Sequence, residues 1–60
     1  MSTAYVQRYM AIANTNEFGL VSGKQYLVEN PSIGMADVYD MDGNYLKSCR
    51  IDSFDHWTQI

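Results

Sequence analysis

Cys49 and His56 are the single thiol and the single imidazole of the chain, and as a pair they would suit a nucleophile with its base or two ligands of a metal. A zinc site needs three or four such ligands at fitting spacing, and no second histidine or cysteine exists to complete one. Asp52, Asp55 and His56 have the types of an acid–base group, but consecutive polar residues on a short turn are ordinarily solvated. His56 beside Asp55 is better placed to titrate near neutral pH and tune a contact than to catalyse. Asp40, Asp42 and Asn44 alternate like the opening of a calcium loop. Gly43 then falls at the fourth position instead of the sixth, and Ile51 stands where a bidentate glutamate belongs. Gly19 to Lys24 has the spacing G-x-x-x-G-K followed by Gln25, so both the spacing and the Ser or Thr of a phosphate-binding loop are missing. These residues therefore predict a protein that is not an enzyme, with no cofactor and no metal.

Aromatic side chains are the remaining chemistry. Five Tyr, two Phe and one Trp in 60 residues are many for so small a core. Such side chains dominate the energetics of interfaces. The sequence selects Tyr5, Phe18, Tyr45 and Trp57 as exposed aromatic residues, with Arg50, Asp52 and Asp55 as polar neighbours, and predicts a protein-interaction site built from these seven. The opposing reading places every ring in the core or over its open end.

The elements that must position them are short strands. Met35 to Asp40 and Tyr45 to Ile51 read as the arms of a hairpin about Asp40-Met41-Asp42-Gly43-Asn44. There Gly43 supplies a positive φ, and Asp40 and Asp42 bond back to the backbone. On that hairpin Cys49 shares a face with Tyr45 and Ile51, as a small buried apolar residue. Lys24 to Glu29 alternates as a strand, with Tyr26 and Val28 on one face and Gln25, Leu27 and Glu29 on the other. Asn30-Pro31-Ser32-Ile33-Gly34 reads as a turn, because Pro31 cannot donate to a ladder. Arg8 to Ala13 is read as the first strand, with Met10 and Ile12 opposite Tyr9, Ala11 and Ala13. Helical spacing of Tyr5, Tyr9 and Ile12, and of Val6, Met10 and Ala13, stands as the alternative. Glu17 to Gly23 is an arm folded back on the body and anchored by Phe18 and Leu20. Phe54 and Trp57, three residues apart, fit one tight helical turn with both rings on one face, followed by a short closing strand or frayed end at residues 58–60.

Four or five strands at close spacing predict one all-β domain over residues 1–60, a small antiparallel barrel with a short helical turn near the C-terminus. The segments Arg8 to Asn14, Gly19-Leu20-Val21-Ser22-Gly23-Lys24-Gln25-Tyr26-Leu27-Val28, Val38-Tyr39-Asp40-Met41-Asp42-Gly43-Asn44 and Phe54 together resemble the small Src-homology-3-like barrels of bacteriophages and prophages. The resemblance covers residues 8 to 57 and rests on turn and core positions. The extra N-terminal residues and Trp57 depart from the pattern. It implies a compact module that acts by binding, often against a host protein or defence system, in the cytoplasm of the host cell.

Composition sets the outer bounds. A chain of 60 residues that is 47% hydrophobic and 18% charged is a small globular domain. A domain of this size buries only about 60% of its unfolded surface, so a homo-oligomer, a dimer first, is expected as one remedy. Seven acids against four Lys and Arg give a net charge of −3, with five of the acids between Asp37 and Asp55. No basic stripe exists, which speaks against nucleic acid as a partner. No apolar run approaches the ~20 residues of a membrane helix, and the unpaired Cys49 and absence of an apolar leader predict a soluble, unprocessed cytoplasmic protein. The alternative function is an oligomer that binds a nucleotide or signalling metabolite, with Tyr faces and Arg8, Lys24 or Arg50 as contacts.

Overall fold

The computed structural model describes residues 7–60, apart from the side chains of residues 30 and 31. Five strands, β1 (Arg8–Ala13), β2 (Gln25–Ser32), β3 (Met35–Tyr39), β4 (Tyr45–Arg50) and β5 (Phe54–Gln59), form one antiparallel sheet in the order β4-β3-β2-β1-β5. Two 3₁₀ turns interrupt them, η1 (Glu17–Gly19) and η2 (Ile51–Ser53), the second joining the two outermost strands. This is a small all-β fold built on one antiparallel sheet. No helix of the described residues is long and apolar enough to cross a membrane.

Period-two alternation decides what the sheet encloses. Ala11 and Ala13 of β1, Tyr26 and Val28 of β2, Ala36 and Val38 of β3, Cys49 of β4 and Phe54 of β5 are buried with Leu20 as one cluster. Val28 and Val38 are direct cross-strand partners at the sheet centre, and each is 0% exposed. The expected division of β1 and β2 holds. Tyr9, Ala11 and Ala13 face the core with Tyr26 and Val28, while Met10, Ile12, Gln25, Leu27 and Glu29 face away.

The β3–β4 turn is held by Asp40. One Oδ1 accepts the amides of Asp42 and Asn44 at 2.9 Å each, and Gly43, at φ 90°, donates to the Asp40 carbonyl at 3.0 Å. These donors, that of Asn44 first, hold the Asp40 carboxyl below the usual range. Asp40 alone takes the role expected of Asp40 and Asp42 together.

Four expectations need correction. First, residues 30–32 are not a turn, for β2 continues to Ser32 and the reversal contracts to Ile33-Gly34. The register slips between Glu29 and Ser32, so Pro31 stands in a bulge where its missing N–H removes no regular ladder bond. Second, Phe54 and Trp57 lie on β5, and the helical turn is upstream at Ile51–Ser53. Residues three apart on a regular strand point to opposite faces. The register slip against β1 and the positive φ of His56 (56°) return Trp57 to the side of Phe54, with ring centroids 6.0 Å apart. Third, Leu20 alone anchors the arm, because Phe18 at φ 60° turns its ring outward and is 48% exposed. The arm is also tied down by Val21 N–H, which donates to the Tyr26 hydroxyl at 3.0 Å. Fourth, Cys49 is buried as expected but not beside Tyr45. Val38 pairs with Lys47 and Tyr39 with Tyr45, so Leu46 is the extra residue of a bulge and Tyr45 turns to the outer face.

A domain of this size has about 3–9 kcal/mol of stability. Val38→Ala should remove about 2–3 kcal/mol of it, as lost transfer energy plus a cavity that the central ladder cannot close. Chemical denaturation with an unchanged m-value is the check. Ile33 should behave oppositely. Its φ of 54° precedes Gly34 at 76°, a two-residue turn that favours Asn-Gly, and it is a β-branched residue held in the left-handed region. Ile33→Asn is expected to stabilise the chain by about 1 kcal/mol, read as a rise in Tm of a few degrees.

Candidate functional site

The seven sequence-selected residues are not gathered at one place. Tyr5 lies outside the described residues. Phe18 stands on the arm, its ring 6.0 Å from the Lys47 ammonium. Arg50 and Asp52 form an exposed pair at 3.4 Å where β4 runs into η2, a contact of small energetic weight. Asp55 accepts from the Asn14 side chain at 3.3 Å, and Asn14 also donates to the Asp52 carbonyl at 2.9 Å, so both help to close β5 and η2 onto the end of β1. Trp57, chosen as exposed, is half-buried against the core. Its ring stands edge-on to Tyr9 at 5.6 Å, and its indole N–H donates to the Phe54 carbonyl at 3.1 Å. Tyr45 is 56% exposed and fits the expectation made of it.

Other exposed apolar residues meet at the β2–β3 tip. Ile33 is 99% exposed, Met35 pairs with Arg50, and Ile51 donates its amide to the Gly34 carbonyl at 2.9 Å. Ile33, Met35 and Ile51 thus lie at one end of the fold.

The sheet face turned away from the core is the more organised surface. An antiparallel sheet with one face on the core usually presents polar residues on the other. Here the register sets Tyr45, Tyr39, Leu27 and Met10 in one cross-strand row over β4, β3, β2 and β1. Tyr39 and Tyr45 pack edge to face with centroids 5.4 Å apart. The adjacent row is Ser48, Asp37, Glu29 and Arg8. Ser48 Oγ donates to Asp37 Oδ1 at 3.0 Å and Arg8 Nε donates to Glu29 Oε2 at 2.6 Å, while Glu29 and Asp37 are direct cross-strand partners of like charge. Burial first, and then these two carboxylates, hold the Tyr39 phenol above its ordinary value.

Sequence reasoning missed Met10, Leu27, Glu29, Asp37 and Tyr39 as surface features. A signal existed in the alternation of β1, β2 and β3, each of which has apolar residues on both faces. Only the register aligns those residues into rows.

Catalytic geometry is another matter. Cys49 is buried in the core, which pushes its thiol up, while His56 is exposed on the strand at the opposite margin of the sheet. A buried thiol above its ordinary value is a poor nucleophile at neutral pH. Among the described residues no three His, Cys, Asp or Glu side chains stand close enough together to hold a metal ion. Comparison of the chain with protein-family models, with curated proteins and with solved structures gave no match.

Proposed function

We propose that this chain is a non-enzymatic protein-interaction module, of the kind phages encode to bind and inhibit or redirect a host regulatory or defence protein in the host cytoplasm. The observation that supports it most is the apolar row Tyr45–Tyr39–Leu27–Met10 on the sheet face that the core does not use. Tyr45 is 56% exposed at one end of this row and Tyr39, Leu27 and Met10 are half-buried along it, a partly open apolar edge of the kind that another molecule covers. The phage origin rests on the resemblance of the strand and turn motifs alone. The fold by itself implies no activity.

The alternative reading, a nucleotide or metabolite site, would draw on Arg8, Lys24 and Arg50. Arg8 is engaged by Glu29, Arg50 faces Asp52, and the Lys24 ammonium stands 5.6 Å from the Tyr26 ring centre. Each of these cations is thus engaged elsewhere than at the Tyr39–Tyr45 ring pair, so protein binding is the better-supported reading.

Native mass spectrometry of the tagged protein recovered from cells of its natural host tests the reading. The expected result is a second protein at fixed stoichiometry that is lost from Tyr45→Ala, with the variant still folded by circular dichroism. Recovery of the chain alone, at low and at moderate salt, would overturn it.

A further inference from the structure

We infer that the outer face of the sheet receives a short amphipathic helix with a basic flank, supplied by a partner protein. The inference rests on the interaction reading and names the surface and the chemistry of the partner. Size comes from the sheet itself. Neighbouring strands lie about 4.8 Å apart, so the row from Tyr45 to Met10 spans roughly 14 Å. That is the length of about nine or ten helical residues at 1.5 Å each. Apolar residues three or four apart on a helix recur at about 5–6 Å, close to the spacing of the row.

Charge comes from the neighbouring row, two residues further along β1, β2 and β3, three along the bulged β4, and about 7 Å away. Glu29 and Asp37 face each other directly, an unfavourable placement for two carboxylates. Arg8 engages Glu29 from the β1 side and the neutral Ser48 hydroxyl serves Asp37, so the pair carries more negative charge than its neighbours offset. A Lys or Arg on the flank of the incoming helix would lie between the two carboxylates, next to the rings of Tyr39 and Tyr45, which also favour a cation. Charge complementarity selects this occupant over the others. A second copy of the chain would bring the same acidic row against itself, and a nucleic acid would bring phosphates to it.

The probe is a matched pair of helical peptides with Leu at i, i+3 and i+7, one with Arg along a flank and one with Glu at those positions, titrated into the ¹⁵N-labelled chain. Amide signals of Met10, Leu27, Asp37, Tyr39 and Tyr45 should move with the Arg peptide, which should bind at least about tenfold more tightly than the Glu peptide. Glu29→Gln with Asp37→Asn, which keeps the local hydrogen bonds, should weaken the Arg peptide by about fivefold without lowering Tm. Equal binding of both peptides, no binding of the Arg peptide, a dimer that closes over this face, or shifts centred on Ile33 and Ile51 would each overturn the assignment. A host protein that is captured and held by Tyr45→Ala as firmly as by the parent chain would remove this face while leaving the interaction reading in place.

Discussion

Val28 against Val38 is the contact on which the rest of the fold depends. The two are cross-strand partners in the middle of a five-stranded sheet, and each is 0% exposed. Around them the core face is lined by Ala11, Ala13, Ala36 and Cys49, residues too small to hold the strands apart. That composition lets so short a sheet curl until β4 and β5 are joined by the single turn Ile51–Ser53. Larger rings fill the ends, where Tyr26 and Phe54 meet edge-on at 6.1 Å and Trp57 closes over Phe54. Among the described residues no buried side-chain nitrogen or oxygen lacks a hydrogen-bond partner.

Three register slips shape the sheet, and two of them decide which aromatic residues serve the core and which turn outward. One on β5 returns Trp57 to the core side, one on β2 admits Pro31 to a strand, and one on β4 sends Tyr45 outward to meet Tyr39. A bulge adds one residue to one strand, and every side chain beyond it changes face. The bulge at Leu46 also breaks the regularity of β4, a strand at the margin of the sheet that carries Lys47, and both features discourage pairing with a stray strand.

These slips also mark the limit of what the chain discloses by pattern alone. The strands β1, β3 and β4 and the first part of β2, the inward sets Tyr9-Ala11-Ala13 and Tyr26-Val28, and the Asp40–Asn44 turn were legible, since they follow from alternation and from local hydrogen bonding. The face of Tyr45 and the strand setting of Trp57 were not, because each depends on one extra residue whose partner lies on another strand. Ile33 is a similar case. A proline two residues before it suggested a broad turn, whereas the observed reversal takes only Ile33 and Gly34 and strains the isoleucine backbone. The candidate site was legible only in Tyr45; its companions became visible once register aligned residues that alternation had already assigned to one face.

The central claim is a division of labour between two faces of one sheet, and Leu27 and Val28 are neighbours in sequence on opposite sides of it. Denaturant unfolding of Leu27→Ser and Val28→Ser, measured side by side, tests it most directly. The account predicts that Leu27→Ser stays within about 1 kcal/mol of the parent, while Val28→Ser, which leaves a hydroxyl in a cavity at the centre of the core, costs about 3 kcal/mol or more. Equal losses for the two would contradict it, for Leu27 would then belong to a core and the outer face would have no surface to offer.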